Sequence, residues 1–341
     1  MYRKERKFSI PFSQYVGYSV DDYLNLVENY KDNIDSIFFG PSSNLGDHIM
    51  PKNVLFAGRT DLSSMQIIEE LGNCDQRYGE FLQKTKGKYK RYLTLNNAVF
   101  GMSEIAFMHM LVNQIFPIVQ MFEIDGLILS NYNMACFVHK EFPELTLHNS
   151  CNSFTYSIAE MENWRVNAGV EVFNPPRQII RQLDDLKLFK DYGFKIKALV
   201  NEACYFGCTE MINHCVMRNF DYPFTYNCLK NLSVNIFKGC YIKHEWYEQL
   251  DELVDIYKIT GKTMSLERLN KTLDYYIKCQ DIDNMLDVIF GPATAQFLKF
   301  FPNVKISSDS LSDKLLYCQC RDCFRDCQVC NNSLIQCLQS K

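Results

Sequence analysis

Gly126-Leu127-Ile128-Leu129-Ser130-Asn131, a helix-like segment over 134–140, and then Leu145-Thr146-Leu147-His148-Asn149 form the stretch on which the fold turns. A strand-length apolar run ends in small polar residues, an amphipathic segment follows after a short gap, and a second strand-length run again ends polar. Strand–helix alternation with short gaps implies a parallel βαβ unit. The pattern extends in both directions. Strand-like runs lie at 8–12, 36–40 and 92–97 before this stretch, and at 170–174, 196–201 and 254–260 after it. Helix-like segments lie at 20–30, 103–119, 158–166, 179–192 and 266–278. Eight such strands over about 260 residues predict an α/β fold, a TIM-like (β/α)8 barrel. A doubly wound open sheet is the alternative, but no G-x-G-x-x-G or Walker loop follows the first strand.

Barrel active sites are assembled at the C-terminal ends of the strands. Here those ends carry Asn96 and Asn97, Ser130 and Asn131, His148 and Asn149, Asn174, and Asn201 with Glu202. Singly, such residues start turns and cap helices; as a set they predict a polar pocket. Asn97, Asn131, Asn149, Asn174 and Asn201 are the candidate substrate-binding residues. Glu202 can act as a general base, and His148 lies at the end of the fifth strand. Arg177, after Asn174-Pro175-Pro176, can clamp a carboxylate or phosphate. These three are the candidate catalytic residues. Lys258 and Lys262 flank Thr260-Gly261 at the eighth strand, where barrels often hold a charged substrate group; Lys262 joins the substrate-binding set.

The chain has 341 residues, of which 47% are hydrophobic and 14% aromatic, enough for a large core. A net charge of −4 argues against nucleic-acid binding by bulk charge and, on charge alone, favours a peptide or small molecule over RNA. No apolar h-region follows the charged N-terminus, and no apolar run reaches the ~18 residues of a membrane span. The expected location is cytoplasmic, with no membrane partner. In that reducing compartment the fifteen cysteines are not a disulfide framework. The expected organisation is a barrel over 8–265 with a cysteine-rich insertion at 204–243 above its C-terminal mouth. A helical extension with a further short helix at 281–289 and a cysteine-rich C-terminal tail follows, over 266–341.

Three segments carry a family resemblance: Asp125-Gly126-Leu127-Ile128-Leu129-Ser130; Phe142-Pro143-Glu144-Leu145-Thr146-Leu147-His148-Asn149-Ser150; and Gly169-Val170-Glu171-Val172-Phe173-Asn174-Pro175-Pro176-Arg177 with Phe194-Lys195-Ile196-Lys197 beyond it. In this order, with cysteines following, the chain resembles peptidase family U-32, the collagenase-like proteases. The family's peptidase signature is not matched letter for letter, and the C-terminal cysteine cluster is not general to the family. The resemblance implies a TIM-like barrel with a cysteine-rich insertion. It also implies one of two kinds of activity. Some members are reputed peptidases. Others serve oxygen-independent hydroxylation of tRNA, ribosomal RNA or ubiquinone, bind a 4Fe–4S cluster through four cysteines, and, when acting on RNA, are linked to prephenate as oxygen source.

The insertion offers Cys204, Cys208, Cys215, Cys228 and Cys240. Four thiolates hold an iron–sulfur cube, and tetrahedral zinc also takes four. Cys204, Cys208, Cys215 and Cys228 are the expected cluster ligands, with Cys240 able to replace Cys215; zinc, or a set of buried free thiols, is the alternative. In the tail, Cys320-x2-Cys323-x3-Cys327-x2-Cys330 places two CxxC knuckles back to back, a metal-binding spacing. A second metal centre is expected there, unless these thiols complete the first cluster or stay unused. The Cys204-x3-Cys208-x6-Cys215 spacing of the insertion misses the radical-SAM C-x3-C-x2-C pattern. Three functions follow: an iron–sulfur-dependent enzyme carrying out oxygen-independent hydroxylation of RNA, a peptide or a small metabolite; a peptidase; or a non-catalytic metal-stabilised scaffold, one half of a heteromer with a protein partner subunit. Purified anaerobically, the protein is expected to be coloured and to contain iron. A colourless, iron-free, folded protein with stoichiometric zinc would assign the cysteines to a structural zinc site instead.

Overall fold

A computed structural model describes residues 5–12, 17–40, 77–96, 105, 108–109, 111–205, 208, 211, 232–262, 264–317 and 328–339. Each of the eight sequence-predicted strands is present: β1 (Lys7–Pro11), β2 (Ile34–Phe39), β3 (Lys90–Leu95), β4 (Gly126–Leu129), β5 (Thr146–Asn149), β6 (Val172–Phe173), β7 (Lys195–Leu199) and, as the last barrel strand, β10 (Ile256–Lys258). All pair in parallel and close in the order β1-β10-β7-β6-β5-β4-β3-β2. Strands β3, β4 and β7 bury nearly every residue, as strands covered on both faces must. Gly126 is required by close approach: a Cβ there would lie 1.9 Å from the Thr146 carbonyl oxygen on the neighbouring strand.

The crossover helices start where side chains can satisfy their free N–H groups. Ser19, Asn131, Ser157 and Ser265 accept from Asp22, Met134, Glu160 and Arg268 at the heads of α1 (Val20–Glu28), α4 (Tyr132–Glu141), α5 (Ile158–Ala168) and α7 (Leu266–Lys278). Between them lie α2 (77–85), α3 (Phe116–Met121) and α6 (Leu183–Asp191). The predicted 103–119 helix is partly wound as a π-helical turn over Leu111–Ile115 before α3. The final crossover helix, α7, returns to α1: the Tyr30 hydroxyl, just after α1, donates to Asp274 Oδ1 at 2.7 Å.

The structure departs from the sequence reading at three places. The predicted 281–289 helix is a single 3-10 turn, Met285–Asp287. Its backbone takes long-range partners instead, with Met285 N donating to Ile306 O at 2.7 Å and Val288 O accepting from Asn201 Nδ2 at 3.1 Å. Strand β6 is only two residues long because Pro175 and Pro176 follow Asn174 and cannot donate to a ladder. The ends of the insertion form an antiparallel pair that the sequence reading lacked, β8 (Asn201–Tyr205) with β9 (Gly239–Tyr241). Beyond the barrel, α8 (Pro292–Phe300) precedes α9 (Val329–Gln339). The latter packs on the short turns at Leu232–Asn235 and Ile236–Lys238, so tail and insertion touch. Cys330 and Cys337 of α9 are buried in the main core, and the Cys337 thiol donates to Ser310 Oγ at 3.0 Å.

One buried arginine fastens the insertion to the barrel. Arg181 donates to Tyr241 O through Nε and Nη2 at 2.9 and 2.7 Å, and to Phe237 O through Nη1 at 3.0 Å. Its guanidinium also lies 4.8 Å from the centre of the Tyr241 ring. Arg181→Met is expected to leave these buried carbonyls without their donor and to lower stability by about 3 kcal/mol. Urea unfolding measures this; a loss within experimental error would show that the insertion is held by other contacts.

Candidate functional site

Two polar layers occupy the barrel. The lower one is enclosed. Lys197 of β7 is fully buried and reaches across the lumen, with Nζ 3.4 Å from His148 Nδ1 and 3.4 Å from Ser36 Oγ. Nζ also lies 5.0 Å from the centre of the Tyr92 ring, which stacks on His148 at 4.3 Å. Ser36 Oγ donates to Ser9 Oγ at 2.9 Å, and Asp35, at 3.7 Å, is the ion-pair partner of Lys197. Burial disfavours the charged form and pushes Lys197 down to about 7; Asp35 opposes the shift and Lys258 and Lys90 add to it. Burial, with the ammoniums of Lys197, Lys258 and Lys90, holds His148 well below the usual histidine range.

The upper layer is an open pocket of about 550 Å³ at the C-terminal mouth. Its lining includes Phe38, Asn96, Cys151, Asn152, Arg177, Glu202, Lys258, Lys262 and Phe290, each at or just beyond a strand end or in the segment beside β8. Arg177 Nη2 donates to Asn152 Oδ1 at 2.8 Å and to Cys151 Sγ at 3.5 Å. Arg177 Nε lies 3.9 Å from Glu202 Oε2, with both side chains only 3% exposed. Lys258 and Lys262 sit above Phe38, their Nζ atoms 4.4 and 5.8 Å from its ring centre. Burial pushes Lys258 down to about 8, opposed by Cys151 and aided by Arg177. Burial of the ammonium, with Lys258 beside it, brings Lys262 to about 7. Asn96 Oδ1 is a buried acceptor with no hydrogen-bond partner among the described residues. Gly291 closes one side: at φ +145° its Cβ would meet Ala203 Cβ at 3.0 Å and Glu202 Oε1 at 3.4 Å.

Among the sequence-predicted residues, the mouth brings together Arg177, Glu202 and Lys262. His148 lies in the enclosed layer beneath. Asn149, Asn174 and Asn201 are buried in the scaffold and do not line the pocket. Asn174 N donates to Asn149 Oδ1 and Asn174 Nδ2 to Asn149 O, each at 2.7 Å, extending the β5–β6 pairing with side chains. Asn201 Oδ1 accepts from Thr260 N at 2.8 Å, while its Nδ2 donates to Thr260 O and Val288 O at 3.1 Å. Asn131 caps α4, and Asn97 falls outside the described residues. The sequence reading had no role for Cys151, Asn152, Phe38 or Phe290. The first two were within reach of it: the polar run that starts at His148 continues to Asn152, and the residues just past the strand end face the mouth.

For the cysteines, Cys204 and Cys208 are described and half-buried, while Cys215 and Cys228 lie outside the described residues. Burial pushes the Cys240 thiol up to about 12, which disfavours the thiolate a metal needs. Cys320, Cys323 and Cys327 also lie outside the described residues; Cys330 is buried on α9. Among the described residues no three cysteine sulfurs converge. The group of three metal-capable side chains that does, His244, Glu245 and Asp281, is mostly exposed. The described residues therefore supply two of the four expected cluster thiolates. No helix among them is long and apolar enough to cross a membrane.

No protein-family profile and no curated protein matches the sequence. Solved structures do match. The U32 peptidase Mk0906 aligns over 76% of this chain and 96% of its own, with a TM-score of 0.50 and 10% identity. A 2,3-dimethylmalate lyase of the PEP mutase/isocitrate lyase superfamily aligns over 93% and 90%, with a TM-score of 0.39 and 9% identity. At these identities the likeness is one of fold: the barrel is U32-like.

The enclosed lysine gives the fold a pH signature. Lys197 titrates near 7 here against 10.5 ordinarily. Between these values the unfolded chain holds a proton that the folded chain lacks, so stability rises with pH across that window. Lys197→Met is expected to flatten this rise and to gain most over the parent protein below pH 7. A variant that is less stable below pH 7, with an unchanged slope, would show instead that the pairing with Asp35 outweighs burial.

Proposed function

We propose that the chain is an enzyme that binds a small anionic substrate in the barrel mouth. The observation that carries this reading is one pocket holding, among the described residues, three basic side chains, Arg177, Lys258 and Lys262, against a single carboxylate, Glu202. Enclosed cations fixed on strand ends and short turns hold a carboxylate or phosphate with little reorganisation. Arg177 is oriented by Asn152, Asn96 Oδ1 offers an acceptor to a substrate hydroxyl or amide, and Glu202 is the group placed to move a proton. The net charge of −4 favours a small molecule over a folded RNA on charge alone.

The finer reading, oxygen-independent modification supported by an iron–sulfur cluster, rests on the cysteine spacing and the U-32 resemblance. Cys204 and Cys208 are its described ligands, both close in sequence to Glu202, with Cys215 and Cys228 to complete the set. A peptidase has less support. Among the described residues the pocket thiol, Cys151, contacts Asn152 and Arg177 and has no imidazole base within hydrogen-bond reach.

Calorimetry with inorganic phosphate and small dicarboxylates tests the anion site. Arg177→Met or Lys258→Met is expected to weaken binding on the order of ten- to a hundredfold, the loss for one charge-assisted hydrogen bond. Binding unaltered in both variants, or absent from the parent protein, would remove the mouth as an anion site.

A further inference from the structure

The two mouth lysines differ from the other cations of the site. Arg177 has Glu202 and Asn152 beside it. Among the described residues, neither Lys258 nor Lys262 has a carboxylate within ion-pair reach. Both amines lie over the Phe38 ring, so each has an aromatic face and another ammonium for neighbours. An amine enclosed in this way is favoured as the free base, the form that attacks carbonyl carbon. The two are not equivalent. Lys258 is 5% exposed and fixed on β10. Lys262 is half-buried and follows Gly261, on the loop that opens to the mouth.

We propose that Lys262 is a nucleophile that condenses with the carbonyl group of a small aldehyde or ketone bearing a carboxylate or phosphate, while Lys258 and Arg177 hold that anionic group. The inference rests on the mouth being an anion-binding site. The Lys262 nitrogen lone pair forms the C–N bond as the carbonyl π pair moves to oxygen, and the proton the nitrogen then sheds passes to that oxygen. The resulting carbinolamine loses its hydroxyl as water with a further proton, leaving a protonated imine. Amine, carbonyl and one proton thus become iminium and water, with no redox partner. The proton comes from solvent through the open mouth. The iminium then withdraws electrons from the adjacent carbon, the ordinary use of a lysine Schiff base. Burial lowers both amines from the ordinary lysine range; Lys258, fixed on β10 and 5% exposed, is the one held in place to bind the anion, and Lys262, half-buried on the loop, is the one a carbonyl can reach.

The test is reductive trapping on the full chain. The protein is incubated with pyruvate, glyoxylate or glyceraldehyde 3-phosphate, treated with borohydride, digested and mapped by mass spectrometry. One of these probes is expected to yield a reduced adduct on Lys262, formed at least tenfold faster than on any other lysine. Trapping should be half-maximal near pH 7. Lys262→Arg, on a partly exposed loop, should fold normally and lose this adduct alone. The charged and titratable groups around Lys262 in the mouth are Lys258, Arg177, Glu202 and Cys151. Removing the first with Lys258→Met should move half-maximal trapping to higher pH. Adducts spread evenly over the lysines, or trapping at Lys262 with an ordinary lysine pH profile, would overturn the proposal. If calorimetry shows the probes bound but none is trapped, the nucleophile is refuted and the anion site stands; if the probes neither bind nor react, both fall.

Discussion

The site depends on Asn201. This buried side chain accepts from the backbone N–H of Thr260 and donates to the carbonyls of Thr260 and Val288, while its own carbonyl accepts from Phe290 N. One residue therefore ties the end of β7, the end of β10 and the 288–290 segment into a single body. That body carries Glu202 on one side, Lys258 and Lys262 on another, and Phe290 on a third. Ala203 N adds a bond to Phe290 O at 2.7 Å, and Arg268 of α7 holds the carbonyls of Leu286, Asp287 and Ile289. The Asn149–Asn174 exchange does the same across the mouth, setting the starts of the turns that carry Cys151, Asn152 and Arg177. Asparagine suits both places because its amide repeats the donor and acceptor of a peptide group. It can extend a β ladder where the main chain is already turning away.

The interior departs from the rule that a core is apolar. Lys197, His148, Ser9 and Ser36 occupy the lumen beneath the mouth, and Lys258 lies above them. Placing ammoniums out of water is costly unless they are paired or lose their charge. Among the described residues only Lys197 of these has a carboxylate, Asp35, within ion-pair reach. The amines respond by titrating low, and the enclosed imidazole beside them is held neutral. Folded proteins retain such arrangements chiefly where function requires them. A pocket floored by amines near their titration point can bind an anion, exchange a proton or react with a carbonyl carbon.

Five of the described cysteines, in the insertion and the tail, fall into two physical groups. Cys240, Cys330 and Cys337 are buried in the core, and at Cys240 and Cys337 burial raises the thiol. These act as small apolar groups, and Cys337 also donates to Ser310. Cys204 and Cys208 are half-buried. The contact of α9 with the turns before β9 brings the two cysteine-bearing parts of the chain side by side, although nearly a hundred residues of sequence separate them.

Strand–helix alternation was enough to place all eight barrel strands, because buried parallel strands are short apolar runs and the connecting helices announce themselves by amphipathic spacing and capping residues. The (β/α)8 class, the candidate mouth, and Arg177, Glu202 and Lys262 could therefore be read from local pattern. The same local pattern gave the strand-end asparagines to the substrate, whereas three of them hold backbone. A side chain's partner is set by what lies across the fold, and Asn201 finds its partners at Thr260 and Val288. The missing 281–289 helix has the same cause, with its Met285 amide bonded to Ile306 and its Val288 carbonyl to Asn201. Likewise, only closure of the barrel puts Lys258 and Lys262 over Phe38, a residue more than 200 positions earlier in the chain. Sequence spacing determined which elements form and where they end. Tertiary structure decided which polar groups are used up in holding those ends and which are left facing the mouth, because desolvation and charge proximity act between residues that are distant in the chain.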